Sequence, residues 1–487
     1  MRVLELLRLV VIGGAALAVL SCAHSSPRAA SISPESYSSD APAVTAARRA
    51  PRAGQPGPLV PVEQVLSRGT GLTVAEVVDV ALRNNPVTRA AWADARAANA
   101  EYRSAKGAWL PSVTLSGSVK RSESGRSPGG PEAPVTNYNA AASLSYLILD
   151  FGGRAASVDE SRQAFFAEEW TRNAVIQNTV LQAEVAFFSY AGARAMLEAN
   201  RTSLAEAEAN LAAAEEKKRV GLATNADVLQ ARTAYSEVKL AALESEGQVR
   251  TARASLAASM GYAPNATQEL DVSAPEIPDA VLSATVDQLI QRALAGNPEL
   301  QASRAVSRES GARVTQAWSR MLPSLSTSGY IGRTWPRGDP DYSESYSGTL
   351  QVQFPIFTGF SQQFDLFRAR AQAEAQQERT RGIEQATALS VFSAHSDFLT
   401  AVERLKTTDD LVASARQSEE VASGRYKEGV GSILDLLSAQ RVLAVARAEQ
   451  VNARLSWFTA LTQLAHDVGV LGPDGSNPLV PDAFVPR

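Results

Sequence analysis

The residues of this chain that could do chemistry are few and badly spaced for it. Three histidines, His24, His395 and His466, lie far apart. Cys22 is the only cysteine, so no disulfide framework and no CxxC site can form. Neither HExxH nor a P-loop occurs. Gly429-Val430-Gly431 is followed by Leu434 where a dinucleotide fingerprint wants glycine. Acidic residues are plentiful but recur at i, i+4 spacing, the pattern of a charge-laced, solvated helix face. Four methionines are too few for a soft-metal pathway. A net charge of -4 argues against the basic face of a nucleic-acid binder. The expectation is a protein that is not an enzyme and holds no metal or cofactor. What remains are Cys22 and two glycine turns, Val220-Gly221-Leu222 and Glu428-Gly429-Val430, with Asp227, Tyr426 and Asp435 close by in sequence.

The turns sit at the ends of very long helices. From Arg154 to Lys218 the composition is Ala, Glu, Gln, Leu and Arg, all good helix formers. About 65 residues at about 1.5 Å each span roughly 100 Å, far beyond an ordinary globular helix. A shorter helix then returns toward Ala263. The design repeats from Phe360 to Tyr426, turning at Glu428-Gly429-Val430-Gly431 and returning from Ser432 to Val468. Two such hairpins suit a tube wall better than a compact core.

The N-terminus, residues 1–21, looks like a signal peptide. Arg2 and Arg8 precede an apolar stretch, Leu9 to Leu20, too short to span a bilayer. It ends Val19-Leu20-Ser21-Cys22, which resembles a bacterial lipobox and makes Cys22 the expected lipidation site. The alternative is a plain signal peptide that ends near a cysteine. Residues 22–71 form a leader whose Ser-, Ala- and Pro-rich part, Ser25 to Pro61, reads as flexible.

The mature chain is an internal duplication. Thr73 to Asn85-Pro86 aligns with Thr285 to Asn297-Pro298 at an offset of 298 − 86 = 212, as do Leu110-Pro111-Ser112 and Leu322-Pro323-Ser324. Past the turns the offset is 429 − 221 = 208, and Gly221, Asp227 and Gly261 meet Gly429, Asp435 and Gly469. The halves are 72–263 and 284–470, joined by a linker at 264–283 and followed by a tail at 471–487. In each half a short helix ends at Asn-Pro, which caps and starts the next helix. Those helices run from Val87 to Ala108 and from Glu299 to Arg320, where Leu-Pro stops them.

The period then changes from 3.6 to 2. Val113, Leu115, Gly117 and Val119 alternate with small polar residues, as do Ala142 to Ile148, Leu325 to Ile331 and Gly348 to Phe354. One apolar and one polar face suits lipid outside and water inside; two hairpins packed on a soluble core are the alternative. Loops are expected from Arg121 to Asn137 and from Arg333 to Ser345, with Trp335, Tyr342 and Tyr346 as an interfacial girdle. Four strands leave open edges that lipid does not tolerate, and a transmembrane barrel needs at least about eight strands. Several copies must therefore share one barrel, most simply with cyclic symmetry.

At this point the chain resembles the TolC-type outer-membrane efflux channels, in their lipid-anchored branch, over about residues 72 to 470. The carriers are the duplicated Asn-Pro and Leu-Pro pairs, Phe354-Pro355-Ile356-Phe357-Thr358-Gly359, and Arg425-Tyr426-Lys427-Glu428-Gly429 through Asp435-Leu436-Leu437-Ser438-Ala439-Gln440. The resemblance implies a mainly α fold with a small β part. In it long helical hairpins form a trimeric α-barrel, and four strands per protomer join a 12-stranded transmembrane β-barrel in the outer membrane. It also implies that the proline-started helices stack end to end on the return helices. The function implied is a passive exit duct in a tripartite efflux system. A homotrimer is served by a periplasmic adaptor and an inner-membrane pump, with the RND type first in order. Val220, Gly221, Leu222, Glu428, Gly429 and Val430 would be adaptor-docking tips. Asp227, Tyr426 and Asp435 would form the periplasmic gate, although the family's arginine partner falls at Gly431 and a second acid of its ring at Ser438. The residue-level alternatives are that each glycine only ends a helix and that each aspartate only stabilises a helix N-terminus. A channel for type I protein secretion and a soluble periplasmic coiled-coil scaffold are the other functional readings.

Overall fold

The computed structural model describes residues 59–66, 71–122, 134–265, 270–273, 275–277, 284–338 and 341–472. The signal segment, Cys22 with most of the leader, and the tail from residue 473 lie outside the described residues. After a short helix α1 (Val62–Leu66), the first half runs α2 (Val74–Asn84), α3 (Pro86–Lys106), β1 (Ser112–Ser122), β2 (Val135–Leu149), α4 (Gly153–Arg219) and α5 (Asn225–Ser259). The second runs α6 (Val286–Gly296), α7 (Pro298–Ser319), β3 (Ser324–Pro336), β4 (Ser343–Gln353), α8 (Ser361–Lys427) and α9 (Ile433–Val468). The two halves carry the same order of elements.

The helices form four columns side by side. α3 and α5 both line one flank of α4, while α7 and α9 line its other flank and in turn meet α8. Columns follow the order of the strands they feed. α4 is 67 residues long, and its neighbours α3 and α5 have 21 and 35. Two short helices can match one long helix only if their ends are spliced. Asn85 makes the splice. Its Oδ1 accepts from Val87 N at 2.9 Å and caps α3, while its Nδ2 donates to Ser259 O at 3.2 Å, at the end of α5. Asn297 does the same for α7 and α9, accepting from Glu299 N at 3.0 Å and donating to Asp467 O at 3.3 Å. Proline follows each asparagine because the first helical position needs no amide hydrogen. Gly261 and Gly469 complete the joints. Both have positive φ, and a Cβ at Gly261 would stand 2.8 Å from the Asn84 carbonyl.

The largest core lies at this level. Phe188 stacks on Phe458 with centroids 4.4 Å apart, and Phe187, Leu256, Leu289, Leu461 and Leu464 are fully buried around them. The N-terminal strap is tied in here. Val60 N donates to Asn84 Oδ1 and Asn84 Nδ2 to Val60 O, both at 2.8 Å. Tyr262 Oη also donates to Val60 O. Leu72 pairs with Val272 across a short parallel bridge, and Tyr190 Oη holds Leu270 O at 2.7 Å.

The strands form one antiparallel sheet in the order β1-β2-β3-β4. Two expectations need correction. The connecting loops are shorter than Arg121 to Asn137 and Arg333 to Ser345, because β2 begins at Val135, β3 runs to Pro336 and β4 starts at Ser343. Alternation persists through the polar residues, and Arg333 faces Glu344 directly across the ladder, so the charges pair instead of ending the strands. Phe354, expected in the last strand, lies just beyond it.

Gly261→Ala and Gly221→Ala separate two costs. Both glycines have φ near +80°, but only Gly261 meets backbone. Left-handed φ alone costs about 1–2 kcal/mol. Thermal melting of the assembled protein should show a larger loss for Gly261→Ala; equal losses would mean that the splice has slack.

Candidate functional site

Both tips are built the same way. α4 ends with Leu222 N donating back to Lys217 O at 2.8 Å across Gly221, whose φ is +82°. α8 ends with Val430 N donating to Arg425 O at 2.9 Å across Gly429. This closure satisfies terminal carbonyls that would otherwise lack donors. Helix termination therefore accounts for the glycines. It does not account for the apolar side chains beside them, since Val220, Leu222 and Val430 are 55%, 79% and 69% exposed. Glu428 is likewise exposed, at the cap of α8.

Asp227 and Asp435 are capping-box residues. Asp227 Oδ2 accepts from Thr224 N at 2.7 Å and from Thr224 Oγ1, while its own amide donates to Thr224 Oγ1. Asp435 and Ser432 form the second box. Asp435 is exposed and Asp227 half-buried, so each caps a helix while its carboxylate keeps some access to solvent at the tip.

Tyr426 joins the two hairpins. Its ring packs with Ala214, Val228, Ala231, Ile433 and Leu436 in a small core of residues from both tips. Lys217 of α4 stands 3.9 Å from the ring centroid and donates from Nζ to Tyr426 O at 2.6 Å. Burial, and then the charge of Asp227, push the Tyr426 hydroxyl pKa up. That hydroxyl has no hydrogen-bond partner among the described residues. At Gly431 a Cβ would lie 3.0 Å from Arg425 Cβ, so the position is closed to a longer side chain unless its surroundings move. Lys217 is the contact that sequence reasoning missed. Its only signal was a basic residue in the last turn of a helix, which the dipole alone would explain.

A second unread group lies at the waist. Glu184 is 4% exposed, facing α9, and Thr462 Oγ1 donates to its Oε2 at 2.9 Å. Burial pushes its pKa from 4.5 up to about 7, with the Thr462 hydrogen bond opposing. At the upper end Arg154 ties three elements together. Its guanidinium donates to Leu147 O at 2.7 Å and Ala108 O at 3.3 Å and lies over the Trp109 ring.

The sheet has two chemically distinct faces. The pairing registers put Val113, Leu115, Ala142, Leu144, Ile331 and Leu350 on one side and Thr114, Ser116, Ser143, Ser328 and Gln351 on the other. Tyr138, Trp335 and Tyr346 fall on the apolar side, toward the end away from the helices, and Tyr342 sits beside them with Arg333 over its ring. Among the described residues no helix is long and apolar enough to cross a membrane. Strands of 11 to 15 residues are long enough to do so.

Residues 77–262 and 289–470 match the outer membrane efflux protein family. The chain belongs to that family. The two matched segments fall one in each half of the described fold. The chain is 29% identical over 442 residues to protein CyaE of Bordetella pertussis, covering 87% of this chain and 91% of that one. It is 25% identical over 410 residues to the probable efflux pump outer membrane protein TtgC of Pseudomonas putida, covering 81% and 82%. The fold matches that of the Campylobacter jejuni CmeC outer membrane channel with a TM-score of 0.75 at 18% identity, covering 85% of this chain and 90% of CmeC. This is an outer-membrane channel protein and not an enzyme.

Two outcomes are expected. Lys217→Ala should loosen the tips and raise single-channel conductance several-fold in planar bilayers, whereas Tyr426→Phe keeps the ring and should change it little. Glu184 favours its protonated form when folded, so its contribution is free of cost below pH 4.5 and declines as pH rises through about 7. Above that the cost is on the order of 3 kcal/mol per protomer. Glu184→Gln should raise the melting temperature at pH 8 more than at pH 5 and flatten the pH profile between them.

Proposed function

We propose that three copies of this outer-membrane efflux protein close their sheets into one twelve-stranded barrel and their helical walls into one periplasmic tunnel. The observation that carries this is the sheet. It has an apolar face, a hydroxyl- and amide-rich face, and β1 and β4 as unpaired edges within the chain. Such edges cannot stand in hydrocarbon, and four strands are about half the minimum for a closed barrel. Three copies satisfy every edge and leave room for a polar lumen.

The assembly is a passive exit duct for small molecules. An inner-membrane pump, of the RND type in this reading, supplies the energy, and a periplasmic adaptor docks on the exposed Val220, Leu222 and Val430 around Gly221, Gly429 and Glu428. Asp227 and Asp435 contribute an acidic entrance that favours cations, and Lys217 with Tyr426 holds the tips together at rest. Acylation of Cys22 anchors the leader in the outer membrane. Efflux is favoured over protein secretion by the relatives whose names describe efflux pump components.

Purified protein should run as a trimer in mild detergent and conduct in planar bilayers. Leu222→Asp combined with Val430→Asp should keep conductance but lose complementation of drug resistance in a strain lacking the channel. Retained resistance would remove the docking role, and a non-conducting monomer would remove the duct.

A further inference from the structure

The apolar face of the sheet is not uniform. At its outer end the pairing places three arginines above a patch of very small residues. Arg121 opposes Thr136, and the Arg337 amide donates to Thr136 O at 2.7 Å, so Arg121 and Arg337 flank one strand at the rim. One step inward along the same face come Val119, Tyr138 and Trp335. The next step is Gly117, Ala140, Arg333 and Glu344. The step after that is Leu115, Ala142, Ile331 and Tyr346.

Because Gly117, Ala140 and Ala142 barely rise from the backbone, the surface there is a groove. Its volume is about 470 Å³, with Leu115, Ile331 and Trp335 as walls and Arg333 and Glu344 alongside. It crosses β1, β2 and β3 of a single chain, so closing the barrel through the β1 and β4 edges leaves it open. Leu115 is 85% exposed and Ile331 41%. Arg333 lies 3.6 Å from Glu344, a long pairing, and all three arginines are exposed. Among the described residues this end of the face carries three cations against Glu344, with Asp341 in the turn beyond.

We propose that this groove binds a phosphorylated glycolipid of the outer leaflet, of the lipid A class. One acyl chain lies over Gly117, Ala140 and Ala142, and phosphate groups meet Arg333, Arg337 and Arg121. The proposal rests on the reading of this face as the lipid-facing wall of the barrel. Two features select the occupant. The groove runs from the middle rung of the sheet, Leu115, Ala142 and Ile331, outward toward the rim away from the helices, which in an outer-membrane protein with a periplasmic helical part is the outer leaflet. Guanidinium groups pair with phosphate oxygens in bidentate geometry better than any other side chain, and arginine stems lie comfortably along apolar surface while their heads reach the interface. Trp335, Tyr138 and Tyr346 mark that interface, where aromatic rings concentrate.

The test is native mass spectrometry of the intact assembly in mild detergent. It is first delipidated, then titrated with lipid A, with dephosphorylated lipid A and with phosphatidylglycerol. Wild type should retain up to one lipid A per protomer and bind the dephosphorylated form at least about tenfold more weakly, the loss of one good charge-assisted contact. Arg333→Gln should weaken lipid A binding by a similar factor. Gly117→Leu, at a site where a Cβ meets only Asn139 O at 3.8 Å, should fill the groove and abolish retention. Bilayer conductance of both variants should equal wild type, since neither touches the polar face. Equal binding of the phosphorylated and dephosphorylated forms, equal binding of phosphatidylglycerol, or unchanged retention in both variants would overturn the proposal. Loss of conductance in wild type would instead overturn the barrel itself.

Discussion

One amide side chain at each joint capping two helix ends at once is what the rest of the molecule depends on. A tube wall of parallel columns requires every column to have the same length. The chain meets this with one 67-residue helix beside two shorter ones, and the shorter pair must join without leaving polar backbone groups stranded. Asn85 and Asn297 each accept from the helix they start and donate to the helix that ends against them. Gly261 and Gly469 let the two backbones come within contact distance. Around these joints the aromatic core of Phe187, Phe188, Trp457 and Phe458 gathers, so the waist is the most heavily packed level of the wall.

Packing thins from the waist toward the tips. The core there is reduced to Tyr426 and a few small aliphatic residues shared between hairpins, with Lys217 as the polar tie. Segments that must move are drawn from the less stable end of a structure. In the proposed gate, opening would part the Lys217–Tyr426 contacts and this small shared core while the spliced waist stays intact. The strand end is fastened differently in the two halves. Arg154 clamps the first exit to the carbonyls of Leu147 and Ala108, whereas the second leaves Phe357, Phe360, Phe364 and Phe367 exposed.

How much of this was legible in the sequence follows from where the pattern is rigid. Asn-Pro, Leu-Pro and the paired glycines are punctuation with one structural meaning each, and duplication printed every mark twice. Element order and the two glycine turns could be read from them, while the end-to-end stacking of the short helices followed from the family resemblance. Strand alternation gave the two faces, although polar rim residues such as Arg333 and Thr334 looked like loop until pairing partners were present. Lys217, Glu184 and Arg154 were not readable. Each sits in a 67-residue helix that is contacted on several sides by other columns, so no single apolar stripe tells which charged residue points inward. Their roles come from the partner column and not from their own neighbours in sequence. Asp227 and Asp435 were readable only as either caps or gate acids. The structure shows the cap in both, and the entrance role belongs to the proposed function.

The tie between Val60 and Asn84 fixes the point from which the leader departs. That point is at the waist, below the barrel by the length of α3, 21 residues or about 32 Å at helical rise. From Cys22 to Leu59 there are 59 − 22 = 37 residues. Stretched fully at about 3.3 Å each they would reach roughly 120 Å, several times the distance required. If Cys22 carries the proposed acyl group, the contour length of this stretch exceeds the height of the joint, so chain length alone sets no tension between anchor and wall.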